Sequence, residues 1–111
     1  MSRSLIERRL VDVGDRLKQL RLDLRIAEEQ LAHVAGEADD ARLRSLVSET
    51  PLAEREHREA QRHADAFERD RLRLQGEIER LEAVQDELLD RLTSGATDPA
   101  DPVPPAPEET R

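Results

Sequence analysis

The chain has 111 residues, of which 26 are Asp or Glu and 18 Lys or Arg, for a formal net charge of -8. That length holds one small domain, and a single aromatic residue, Phe67, set against 40% charged residues excludes a globular core of ordinary build. Phosphate backbones and anionic bilayers are bound mainly through Lys and Arg, so neither nucleic acid nor a membrane surface is expected as a direct partner.

Cysteine is absent, which removes disulfides, thiolate metal ligands and Cys nucleophiles from consideration. Residues 1–10 carry no apolar signal core, and no segment approaches the ~18 apolar residues of a bilayer span. Cytoplasmic residence is therefore expected. Lys18 is the one lysine in an Arg-, Ala- and Asp-rich chain, a usage that fits a high-GC bacterial genome.

From the start of the chain, Ile6, Leu10, Val13, Leu17, Leu20, Leu24, Ala27, Leu31 and Val34 follow one another in unbroken alternating steps of four and three. This is the seam of a coiled-coil helix, predicted over about 3–48. The next segment is ambiguous. Continuing the alternation lands on Ala38, Ala41 and Ser45, whereas the bulky apolar residues are Leu43, Leu46 and Val47. Either the helix runs on to about Glu49 with those three side chains on its outer face, or residues 36–40 turn and a short middle helix spans 41–49. The continuous helix is preferred, because a long helix absorbs the roughly 1 kcal/mol that Gly36 costs in its interior.

Ser48-Glu49-Thr50-Pro51 reads as a stop and restart: Pro51 suits a first helical turn, and Ser48 or Thr50 can cap a second helix. That helix is predicted over about 52–93. Its seam is Ala53, His57, Ala60, Ala64, Phe67, Arg71, Leu74, Ile78, Leu81, Gln85, Leu88 and Leu92, and it strengthens after Phe67. If the two seams face each other in an antiparallel hairpin, paired residue numbers must have a constant total. A total of 98 matches Ile6 with Leu92, Leu10 with Leu88, Leu17 with Leu81, Leu20 with Ile78, Leu24 with Leu74 and Leu31 with Phe67. The same register sets Ala27 opposite the large Arg71 and centres the turn on residue 49.

Charges beside the seam do not select this topology. The register brings Asp23 near Glu77 and Glu28 near Glu68, both like pairs, while a parallel homodimer would bring Arg16 near Arg21 and Asp23 near Glu28. Within each helix an acid precedes a base by four at Asp12 and Arg16, Glu54 and Arg58, Asp65 and Arg69, and Glu87 and Arg91. Such pairs add only about 0.2 to 0.5 kcal/mol each.

From Thr93-Ser94-Gly95 onward the chain carries five prolines by Pro107 and no large apolar residue beyond Val103. Residues 94–111 are therefore expected to be a disordered, acidic, Pro-rich tail. The expected fold is all-α: a long antiparallel two-helix coiled-coil hairpin over 1–93, turning at 48–51, with that tail appended.

Two such helices bury narrow stripes only, and a hairpin with Ala, Arg, Gln and His in its seam is marginal alone. Self-association, in the first instance as a homodimer, is expected to cover the off-seam Leu22, Ile26, Leu72, Val84 and Leu89. Leu43, Leu46, Val47 and Leu52 form the candidate partner interface, since exposed apolar groups of this kind bind partners; the other reading is that they are core to a short third helix or to the homodimer. Glu54-Arg55-Glu56-His57 has the Glu-x-x-His spacing of di-iron bundles. The seam offers it no complementary inward carboxylates, so His57 reads as a tolerated seam residue and no metal or other cofactor is expected. His33 and His63 lack partners at ligand spacing, nothing suggests a catalytic triad, and the four glycines form no phosphate loop. Enzyme chemistry is not expected. Pro102-Val103-Pro104-Pro105 has the spacing for an SH3-like groove, although it reads better as a solvating end.

The segment Glu49-Thr50-Pro51-Leu52-Ala53-Glu54-Arg55-Glu56-His57-Arg58-Glu59-Ala60, with Ser4-Leu5-Ile6-Glu7-Arg8-Arg9-Leu10, resembles small actinobacterial coiled-coil proteins over about the first 93 residues. That resemblance carries over no catalytic or binding residue. The hairpin also resembles in architecture the arms of Gre-type and DksA-type factors, which enter the RNA polymerase secondary channel with acidic residues at the tip. It implies an alternative function, a regulatory factor placing Asp39 and Asp40 in a partner's cleft. The leading expectation is a non-catalytic interaction or scaffold protein acting through its coiled-coil arm.

Overall fold

The computed structural model describes residues 2–95. Two helices account for nearly all of them: α1, Arg3–Ser48, and α2, Pro51–Ser94. They form the antiparallel coiled-coil hairpin, and among the described residues there is no strand. No described helix is long and apolar enough to cross a membrane. The preferred continuous helix is the one observed, and the alternative short middle helix is absent, because α1 runs without interruption through Gly36 to Ser48. One residue assigned to the tail belongs elsewhere: Ser94 closes α2, and Gly95 is the turn residue that ends it. The rest of the expected tail, 96–111, lies outside the described residues.

Hydrogen-bonding residues at the helix ends explain these boundaries. Leu5 N donates to Ser2 Oγ at 3.1 Å, so Ser2 satisfies one of the free amides that open α1. Thr50 does the same for α2, accepting from Ala53 N at 3.1 Å, and Pro51 occupies the first helical position, where its missing N–H costs nothing. Glu49 ends α1 in the left-handed region, φ 50°, while its N–H still bonds Ser45 O at 3.0 Å. The corresponding residue after α2 is Gly95, φ 75°, which needs no Cβ-bearing residue to adopt that conformation.

The hairpin comprises two compact units. In the first, 2–17 packs with 80–95, and its core is built from Ile6, Val13, Leu17 and Leu88, with Leu10, Leu81, Gln85 and Leu92 half-buried. Ile6, Leu17 and, in the other unit, Leu20 are the largest side chains shut off almost completely from solvent.

The second unit, residues 18–79, contains the turn. Leu20, Ala27, Val34, Ala38 and Ala41 of α1 are buried there, as are Ala53, Ala64, Leu74 and Ile78 of α2. Val34, Ala38 and Ala64 make one cluster, against which Leu31, Ala60 and Phe67 pack. These are three levels of the 98 register: Leu31 with Phe67, Val34 with Ala64, and Ala38 with Ala60. The ring of Phe67 is closed on its flank by His63, edge to face with centroids 5.1 Å apart. Every seam position in the unit is buried or half-buried, including His57 and Arg71, and no polar side chain among the described residues is fully buried. The alternation of four and three therefore persists through the ambiguous segment, with Ala38, Ala41 and Ser45 inward.

Replacing Thr50 by Ala should remove the α2 cap and cost about 1 kcal/mol, lowering the melting temperature by several degrees in circular dichroism. Glu49→Gly should move it the other way, since glycine adopts φ 50° without the cost of about 1 kcal/mol that a side chain incurs there.

Candidate functional site

The inward alanines near the turn have a direct consequence on the other side of the helices. A seam made of Ala38, Ala41, Ala53, Ala60 and Ala64 leaves the large apolar side chains of the same stretch with nothing to cover them. Leu43 is 53% exposed, Leu46 61%, Val47 83% and Leu52 59%. Leu43, Leu46 and Val47 stand at i, i+3 and i+4 on the last turns of α1, opposite its seam, and Leu52 lies in the first turn of α2 just across Glu49 and Thr50. All four belong to the turn end of one unit. They form an apolar surface framed by Arg42, Arg44, Glu54 and Glu56, all exposed.

Asp39 and Asp40 are placed differently. Both are exposed on α1, nine or ten residues before the turn at Glu49, so they flank the arm rather than tip it. His57 takes its place in the seam, half-buried, and His33 pairs along its own helix with Glu37 at 3.6 Å. No group of three or more His, Cys, Asp or Glu side chains suited to holding a metal ion occurs among the described residues.

Two arginines of α2 organise the acidic middle of the 18–79 unit, and sequence reading missed both roles. Naming heptad positions a to g with a and d in the seam, Glu28 and Glu68 stand at e positions on one flank, and Asp23, Asp70 and Glu77 at g positions on the other. Arg71, at a seam position opposite the small Ala27, reaches out along the e flank. Its Nη2 donates to Glu68 Oε2 at 2.7 Å and Nε to Oε1 at 3.2 Å, while Nη1 donates to Gln75 at 3.0 Å. The Glu68 carboxyl is held below its ordinary range by that hydrogen bond. The Arg71 guanidinium is pushed up first by its hydrogen bond to Glu68, with the charges of Glu68 and Glu28 adding to the effect. The Glu28 and Glu68 repulsion expected from the register is thus answered by a cation lodged between them.

Arg73 serves the g flank. Its Nη2 donates to Asp70 Oδ1 at 2.8 Å and Nη1 lies 3.8 Å from Glu77 Oε1. The hydrogen bond to Asp70 raises the Arg73 pKa. Beside it runs a shallow groove lined by Asp23, Ile26, Ala27, Gln30, Asp70, Arg73 and Leu74. The groove exists because Ala27 is too short to fill the flank at that level. The signal available in the sequence was the spacing of three that links Glu68 to Arg71 and Asp70 to Arg73, beside the spacing of four that was read.

No protein-family model, curated protein or solved structure matches this chain.

Glu68 has a lowered folded pKa, so its share of the stability is complete above the ordinary glutamate value of about 4.3 and is lost as pH falls through the lower folded value. Arg71→Met keeps the seam filled but removes the cation. The variant should melt below the wild type at about pH 7, and the gap should narrow towards about pH 3 as Glu68 takes up its proton. Thermal melts by circular dichroism at the two pH values read this directly.

Proposed function

We propose that the protein is a non-catalytic binding or scaffold protein whose coiled-coil arm presents the Leu43, Leu46, Val47 and Leu52 surface to another protein, and that it works as a homodimer. The observation that carries this reading is the inversion at the turn end: small side chains fill the seam while four large apolar ones stand more than half exposed beside it. A stretch that served only to close the hairpin would gain about 1.5 to 3 kcal/mol for each Leu or Val turned fully inward. Keeping them outside is a cost that a docked partner recovers, since contiguous apolar surface rimmed by charge is characteristic of interaction sites.

Cytoplasmic residence agrees with this role, as does the acidic balance of the chain, which keeps the free protein dispersed. The Asp39 and Asp40 alternative draws less support, since their carboxylates lie on the side of the arm.

Leu43→Glu with Leu46→Glu tests the proposal, because both positions are exposed and the double variant should retain wild-type helicity and melt within about 0.5 kcal/mol per site of it. Affinity purification from the native cell, followed by mass spectrometry, should recover a protein with the wild type that is lost with the folded variant. Identical recoveries would dismiss the turn-end surface as the binding site.

A further inference from the structure

We infer that the homodimer forms through the face of the 18–79 unit made by the b and e positions, with the two hairpins parallel and each α1 lying on the partner's α2. This rests on the self-association proposed above and adds the face and the orientation.

The register settles which residues stand level on the two helices, because packing at Leu31 and Phe67, Val34 and Ala64, and Ala38 and Ala60 fixes it in this unit. On the b and e face, Lys18 of α1 stands level with Glu79 of α2, Asp39 with Arg58, and Arg42 with Glu54. Each of these pairs is opposite in charge. A two-fold axis along the hairpin turns one copy onto another so that α1 covers the partner's α2 at the same level. All three matches are then repeated twice across the interface, once in each direction, as an isologous contact requires. The acidic pair on this face, Glu28 and Glu68, faces a fixed cation in Arg71, whose guanidinium is drawn to this flank. Between these matched levels Ala32 stands level with Asp65, Ala35 with Gln61 and Arg25 with the exposed Leu72, so no like pair is added there.

The opposite face, made by c and g positions, does not offer this. There Arg44 stands level with Glu56, but Asp40 stands level with Glu59 and Asp23 with Glu77, so the same operation would set acid on acid at two levels against one favourable match. An antiparallel arrangement on the b and e face would lay α1 on the partner's α1, and an axis near Arg21 would then bring Lys18, Arg21 and Arg25 of the two copies together. Parallel pairing through b and e is the arrangement the charges favour. It also leaves Leu43, Val47 and Leu52, at f and c positions, on other faces of the arm, with Leu46, at a b position, on the turn-end edge of the paired face.

Charge exchange tests this in the full chain. Sedimentation equilibrium should show a dimer for the wild type that weakens as salt is raised. An α1 variant, Lys18→Glu with Asp39→Arg, and an α2 variant, Arg58→Asp with Glu79→Lys, should each self-associate more weakly by on the order of tenfold or more. An equimolar mixture of the two should restore wild-type affinity, because every exchanged residue then meets an exchanged partner. Circular dichroism of each variant separates misfolding from lost association, and the mixture serves as the rescue. Orientation is read by cysteines: Ala32→Cys mixed with Asp65→Cys should form an intermolecular disulfide, and Ala32→Cys alone should not. A monomer at every concentration overturns the inference together with self-association. A dimer indifferent to the exchanges, or a disulfide from Ala32→Cys alone, overturns the face or the orientation while leaving self-association standing. None of these outcomes bears on the Leu43 surface, because none of the exchanged or cysteine positions lies in it.

Discussion

Everything in this molecule depends on a stripe of side chains recurring at alternating intervals of four and three along both helices. Each helix has only that stripe to bury, so the hydrophobic contribution that holds α1 to α2 is concentrated in one line of contact. A line contact is sensitive to register. Sliding α2 by one step of the seam would take Phe67 away from Leu31 and set Arg71 against a large side chain instead of Ala27. The match of Arg71 to Ala27 is in this sense the key that admits only one alignment, since no other seam residue has so long a polar side chain to place.

That alignment explains why the acidic middle of the hairpin is tolerable. Opposed like charges at Glu28 and Glu68, and at Asp23 and Glu77, follow unavoidably from the register and would destabilise the pairing if left alone. Arg71 and Arg73, two residues apart on α2, fall on opposite flanks, and each is hydrogen-bonded to an acid three residues before it. One arginine leans out of the seam and the other lies beside it, so both flanks are supplied with a cation from a single turn of helix. The arrangement also differentiates the two faces. On the e flank Arg71 stands between the acids, whereas on the g flank Arg73 is engaged by Asp70 and Glu77, leaving Asp23 at the far side of a groove.

The fold was legible in the sequence because a periodic seam is a property of residue spacing, and the agreement of two seams on one register locates the turn without further information. The ambiguous segment shows where such reading stops. Ala38, Ala41 and Ser45 are spaced helically, and so are Leu43, Leu46 and Val47; spacing alone gives two faces and no means to rank them. Bulk would favour turning the leucines inward. The packing against α2 decides it: the Ala38, Ala41 and Ser45 face continues the seam that meets Ala53, Ala60 and Ala64, and this leaves the leucines outside. The left-handed conformation of Glu49 was not visible at all, because the residue type gives no sign of it; it arises from the need to reverse the chain within the two residues between Ser48 and Pro51.

The candidate surface was legible as a set of residues, and its exposure became clear only from this packing. An alanine seam and an outward leucine surface are two aspects of one choice: a helix turns one face to its partner, so the orientation that carries the alanines inward carries the leucines outward. Near the turn the chain therefore gives up burial within itself in favour of surface. Farther from the turn in the same 18–79 unit, by contrast, Leu20, Leu74 and Ile78 fill the seam with large side chains. The division of labour this implies is energetic before it is functional: the levels away from the turn can draw their stability from large residues turned inward, and the levels beside it have large residues free to stabilise a contact with something else.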